Sequence, residues 1–205
     1  MSKVLFRKAE SYLSGLDPKM AGLIKSFGPC TFSIDNRSKF EVLINSVISQ
    51  QLSGKAASSI RNRLNALLLT QAGNTLTAQM IVAADVNKLS SCGISESKAN
   101  CILRIANDVQ NQSLNLDDLV DESDEDVVAI LTRIKGIGPW TAEMFLMFGL
   151  HRMDVFSLRD AGLKRALINV YAIPKESPDE RILAITTKWK PYRSVASWYL
   201  WRSLD

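Results

Sequence analysis

Apolar residues recur along this chain every three or four positions, in short blocks interrupted by proline and glycine. That spacing puts the apolar positions of each block on one face of a helix, and alternating strand-type runs are nearly absent. The pattern predicts an all-α protein of about ten helices. Asp17-Pro18 opens one helix that ends near Gly28-Pro29, Ser38 caps a helix running through Ser49, and Ser53 starts another through Leu69. Thr77 to Ala83 and Asp85 to Ser91 are short. Ser95 to Gln110 is long, with Ala99, Ile102, Ile105, Ala106 and Val109 on one face. Ser123 caps a helix carrying Val127, Val128, Ile130, Leu131 and Ile134 at helical spacing. Pro139 suits the first turn of the helix after it, where a missing N–H costs nothing. Asp160 stands before Ala-Gly-Leu-Lys-Arg-Ala-Leu and reads locally as an N-cap. Pro191 sets the entry to the last helix, and no tandem repeat is visible.

Between two of these helices lies Ile134-Lys135-Gly136-Ile137-Gly138-Pro139-Trp140-Thr141-Ala142. Two glycines separated by one apolar residue imply a hairpin too tight for a Cβ at either position. Bare amides at the start of the following helix, aided by its dipole, favour an anion such as a phosphate.

Composition narrows the partner. The net charge is only +4, but residues 117–126 (DDLVDESDED) hold seven acids and no base. Elsewhere 25 basic residues face 14 acidic ones, so the remaining surface is more basic than the pI near 9.0 conveys. A surface of that sign suits a polyanion. No apolar run reaches membrane-spanning length, and MSKVLFRKAE has no signal-peptide core, so a cytosolic chain, or a nuclear one in a cell with a nucleus, is expected. Cys30, Cys92 and Cys101 are an odd, unpaired set, which argues against a disulfide framework and reads as small buried thiols. An iron–sulfur cluster needs four thiolates. His151 is the only histidine, which argues against a Ser/His triad or a multi-histidine metal site.

Four stretches taken in order and spacing resemble one family: Phe40 to Ala57 (FEVLINSVISQQLSGKAA), Gly93 to Ala99 (GISESKA), Ile137 to Ala142 (IGPWTA), and Trp189 to Trp201 (WKPYRSVASWYLW). The chain is similar, from roughly Asp17 to Trp201, to the helix-hairpin-helix DNA glycosylases of the 3-methyladenine DNA glycosylase II type. The resemblance implies an all-α fold of two helical lobes with a central cleft. Residues 38–150 would form the hairpin lobe, and residues 1–37 with 151–205 the second. It implies a monomer acting on double-stranded DNA that contains alkylated bases, with no cofactor for catalysis.

By resemblance the essential aspartate stands twenty positions after Trp140, at Asp160. A fixed carboxylate there would stabilise positive charge developing on the sugar and orient the attacking water. Bifunctional relatives carry a nucleophilic lysine where this chain has Trp140, so hydrolysis without strand cleavage is implied. Trp140 and Trp201 would line the base pocket, attracting a cationic purine to an indole face. Met144 stands one turn on, where some relatives have an aromatic. Core packing is the plainer reading of both tryptophans. Gln51 would fill the gap left by the flipped base, against the alternative of an ordinary exposed loop residue, and Ser53 would cap its helix and touch the minor groove. Gly136 and Gly138 would grip a phosphate, with Lys135 adding attraction where the family usually has proline. The carbonyls of Thr132, Ile134 and Ile137 would hold a monovalent cation, sodium or potassium. Two other readings stay open: a glycosylase of this fold for uracil or mismatched thymine, and a noncatalytic helix-hairpin-helix DNA-binding protein.

Overall fold

The computed structural model describes residues 3–32, 37–69 and 75–204. Among them the chain is helical, without a β-strand, and it divides into a continuous unit within residues 36–150 and a discontinuous one within residues 1–35 and 151–205. Helices α1 (Lys3–Leu16) and α2 (Pro18–Phe27) begin the discontinuous unit. The continuous unit holds α3 (Lys39–Ser49), α4 (Gly54–Leu68), α5 (Ala78–Val82), α6 (Val86–Ser91), α7 (Glu96–Gln110), α8 (Asp124–Thr132) and α9 (Pro139–Phe148). Helices α10 (Ala161–Tyr171), α11 (Asp179–Thr186) and α12 (Arg193–Arg202) complete the discontinuous unit.

In the continuous unit α3 is the centre. Phe40, Val42, Leu43, Ile44, Val47 and Ile48 are all buried, so this helix is enclosed rather than amphipathic. It packs against α4, α7 and α9. Helix α9 matches it with Ala142, Met144, Phe145, Leu146 and Met147 buried. Helix α7 is amphipathic and turns Ala99, Ile102, Ile105 and Ala106 inward, as its spacing predicts.

In the discontinuous unit α12 packs against α1, α2 and α10. The sequence reading misses α1, although Phe6, Ala9 and Leu13 are buried at helical spacing. It misses α11 as well. Polar anchors fix the packing. Glu10 accepts from the Cys30 amide at 2.6 Å and lies 2.9 Å from the Tyr199 hydroxyl. Burial, with Glu10 beside it, pushes the Cys30 thiol up to about 12. Asp17 caps α2 through the amides of Lys19 and Met20. Its other oxygen accepts from the Tyr171 hydroxyl at 2.6 Å and the indole N–H of the fully buried Trp189 at 3.0 Å.

Burial alone would raise the Asp17 carboxyl, but the hydrogen bonds from Tyr171, Trp189 and the two amides outweigh it and hold it below the usual range. A carboxylate depressed in the folded state contributes stability that is present above its unfolded pKa and lost as pH falls through the folded one. Asp17→Asn should therefore lower the melting temperature at neutral pH, and the gap to wild type should close on acidification below about pH 4. Thermal unfolding across that range checks it; curves that stay parallel would show that Asp17 contributes nothing of this kind.

Candidate functional site

The hairpin between α8 and α9 is built from inside the continuous unit. Helix α8 ends at Thr132, and the Ile137 amide returns to the Ile134 carbonyl at 3.0 Å, closing the turn. Gly136 has φ +107, and a Cβ there would lie 2.7 Å from the Cβ and Sγ of buried Cys101 on α7. Only glycine fits. Gly138 differs from expectation. Its φ is −101 and a Cβ would meet nothing within 4 Å, so sterics inside the protein do not require glycine there. What Gly138 does is start α9 without a side-chain cap, followed by Pro139 at the first helical position. The amides of Gly136 and Gly138 find no acceptor among the described residues. Amides of this kind, together with the N-terminal end of the α9 dipole, are able to receive an anion.

Two residues that local pattern does not reveal hold the hairpin in place. Arg104 donates to the Lys135 carbonyl at 2.9 Å. The Gln50 amide donates to the Gly136 carbonyl at 3.0 Å and the Thr141 hydroxyl at 2.8 Å. Lys98 in turn donates to the carbonyls of Ile48 and Gln50 at 2.8 and 2.7 Å, satisfying the C-terminal end of α3. Burial lowers the Lys98 ammonium from its ordinary value. Loop, hairpin and the first turn of α9 are thus one hydrogen-bonded body. From it Gln51 projects, exposed and in the left-handed region at φ 55, beside Leu52, which is also exposed. Ser53 caps α4 through the Ala56 amide, and Lys135 is exposed.

Trp140 is half-buried in the first turn of α9, with Met144 buried one turn later. The carbonyls of Thr132 and Ile137 accept no backbone amide among the described residues, and both belong to the same turn as Ile134. Lone pairs of that kind suit a weakly hydrated monovalent ion. No cluster of three or more His, Cys, Asp or Glu side chains able to hold a metal occurs among the described residues.

Asp160, in the discontinuous unit, is buried at 9% exposure. It is the N-cap of α10, as its local sequence reads, and its Oδ1 accepts from the Leu163 amide at 2.7 Å. The same oxygen accepts from the indole N–H of half-buried Trp201 at 3.1 Å. Gly162 sits between them: a Cβ there would be 3.0 Å from Oδ1 and 3.4 Å from the Trp201 ring. The segment leading to Asp160 is tied to the start of α12. Arg193 pairs with Asp154 through Nε to Oδ1 at 2.7 Å and Nη2 to Oδ2 at 3.1 Å. The Ser194 amide donates to the Met153 carbonyl at 2.9 Å, and the Ser194 hydroxyl accepts from the Val155 amide at 3.0 Å. Arg193 is therefore occupied in packing.

With this geometry in hand, the chain matches the family described as HhH-GPD superfamily base excision DNA repair protein over residues 44–191, and it belongs to that superfamily. It is 32% identical to the alkylbase DNA glycosidase-like protein mag2 of Schizosaccharomyces pombe, covering 96% of this chain and 93% of the relative. It is 33% identical to DNA-3-methyladenine glycosylase 1 of the same organism over 96% of this chain and 86% of that one. The solved structure of the S. pombe 3-methyladenine DNA glycosylase Mag1 in complex with abasic DNA superposes with a TM-score of 0.84 at 33% identity, covering 95% of each chain.

The two hairpin glycines should behave differently on substitution. Gly136→Ala should cost about 1–3 kcal/mol, through positive φ and contact with Cys101. Gly138→Ala should cost no more than about 1 kcal/mol, the difference between glycine and alanine at an N-cap. Urea unfolding of both variants measures this, and equal losses would show that the Cys101 contact does not govern the turn.

Proposed function

We propose that this superfamily member is a monofunctional DNA glycosylase that flips alkylated purines, of the 3-methyladenine and 7-methylguanine type, out of duplex DNA and hydrolyses the N-glycosidic bond. The observation that carries this reading is the buried Asp160 carboxylate, fixed by two donors at the start of α10. The relatives' names support the substrate class. The hairpin amides of Gly136 and Gly138, with Lys135, take a backbone phosphate and give affinity without sequence information. A sodium or potassium ion on the carbonyls of Thr132, Ile134 and Ile137 would add positive charge facing that phosphate. Gln51 enters the stack when the base leaves it, and Ser53 follows the minor groove. One chain on one duplex suffices, in whichever compartment holds the DNA.

Water bonds to C1′ as the C1′–N bond breaks, and the bond's electron pair leaves on the purine. An alkylated purine carries positive charge before the reaction and departs neutral, so it needs no proton from the protein. Positive charge moves to the sugar in the transition state, where the Asp160 carboxylate opposes it and orients the water, whose proton it accepts or passes to solvent. An indole face such as that of Trp140 or of Trp201 would attract a cationic base by about 0.5–2 kcal/mol.

A panel of duplexes carrying single lesions, treated with the protein and then with alkali to cut abasic sites, tests the assignment. Release of 3-methyladenine and 7-methylguanine ahead of uracil or mismatched thymine is expected; the opposite order would overturn the substrate class. Asp160→Asn is a clean probe, because asparagine keeps the cap and can still accept from Trp201. It should slow base release by on the order of a hundredfold or more while binding to undamaged duplex persists. Wild-type excision of stable lesions by that variant would remove Asp160 from the chemistry. Trp140 cannot form a Schiff base, so borohydride should trap no covalent protein–DNA adduct. A trapped adduct would contradict the monofunctional assignment.

A further inference from the structure

We infer that Trp201 is a positioning residue for the Asp160 carboxylate, and that the reaction depends on the indole N–H as well as on the ring face. The inference rests on the glycosylase reading above and deepens it. Two donors converge on a single oxygen: the Leu163 amide at 2.7 Å from α10 and the Trp201 indole at 3.1 Å from α12. One donor on Oδ1 would leave the carboxylate free to swing about that contact. A second, from another helix, fixes its plane. Charge-assisted hydrogen bonds of this kind are about twice as strong as neutral ones.

Three further features belong to the same device. Gly162 leaves room for the contact, since a Cβ would come within 3.0 Å of Oδ1 and 3.4 Å of the Trp201 Cδ1 and Nε1. Helix α12, which carries the indole at one end, is fastened at its other end to the segment that leads into Asp160. Arg193 makes the bidentate pair with Asp154, and Ser194 bonds Met153 and Val155. The indole and the acid are therefore held to one frame, although they are 41 positions apart in sequence. The Trp201 side chain is also only half-buried, so filling the core does not account for a tryptophan at this place.

Trp201→Phe separates the two roles, because it keeps an aromatic face and removes the donor. Single-turnover release of 7-methylguanine at saturating enzyme should slow about tenfold, the loss of one hydrogen bond to a charged group, while affinity for undamaged duplex is unchanged. If Trp201 serves only as a stacking wall, the release rate at saturation stays near wild type and the loss appears in affinity for the lesion duplex; that result overturns the inference. Circular dichroism checks the fold. Should Trp201→Phe fail to fold, benzothienylalanine at position 201, with sulfur in place of the ring N–H, makes the same comparison. A second readout needs no activity. The Trp201 indole proton, assigned by nitrogen-15 NMR, should move upfield in Asp160→Asn, and an unmoved resonance overturns the contact. A wild-type protein that releases no base from any lesion sinks the glycosylase reading, and the indole resonance still decides whether Trp201 holds the acid.

Discussion

An all-helical chain of short elements must satisfy its helix ends. Each α-helix leaves four N–H groups unpaired at its start, and the dozen α-helices among the described residues leave many. This chain meets the demand with side chains: Asp17, Ser38, Ser53, Thr77, Asp85, Ser95, Ser123 and Asp160 each accept from an amide in the first turn behind them. On the proposed reading two of these helix starts also serve function. At α9 a glycine stands at the cap with no side chain to offer, and the amides stay open to an outside anion. At α10 the cap is itself a carboxylate buried beside an indole, so one residue closes a helix and supplies the charge that the proposed reaction uses.

This is why so much of the fold was legible in advance. A cap is a local event: Ser38, Ser95 and Ser123 announce their helices within four residues, and the apolar spacing behind them gives the buried face. The misses follow from the same logic. Helix α1 has the periodic Phe6, Ala9 and Leu13 but no cap signal within the described residues, and α11 has Pro178 at its cap, which offers no side-chain acceptor. The candidate site was legible where it is local, at the Gly136–Gly138 hairpin and at Asp160 as a cap. Its supports were not. Gln50 and Gly136 are 86 residues apart, Lys98 and Gln50 are 48 apart, and nothing in either neighbourhood encodes the partner. Gly138 was misread for a related reason: a glycine required by internal packing and one that leaves room for a ligand look the same in sequence, and only φ and the surrounding space tell them apart.

The Lys98–Gln50–Gly136 chain also bears on how recognition can work. Flipping a base costs a few kcal/mol, and the residue that replaces it must arrive in register with the phosphate grip. On the proposed reading Gln51 is that residue, and its neighbour Gln50 is bonded to the hairpin carbonyl and to Thr141 in the first turn of α9. A loop fastened this way cannot drift relative to the hairpin without breaking both bonds. The ammonium of half-buried Lys98 would lose both of its carbonyl partners if the end of α3 unwound. On that reading the loop that carries Gln51 is held in place before DNA arrives, and less ordering remains to be done on binding.

Substrate and acid then constrain each other. A lone carboxylate with no lysine at position 140 and no second acid beside it, since Arg159 precedes it, is modest equipment for breaking a glycosidic bond. It is adequate where the leaving group is already cationic and departs neutral, because the protein then has only the charge on the sugar to oppose. A neutral base such as uracil makes a poorer leaving group and would have to be read by specific hydrogen bonds at its edges, whereas the indoles of Trp140 and Trp201, in the proposed role, offer mainly π-face. Stacking on an indole face tolerates several alkylated shapes and discriminates chiefly by charge. Precision is then demanded of the acid rather than of the pocket, which is where the structure places its two-donor restraint.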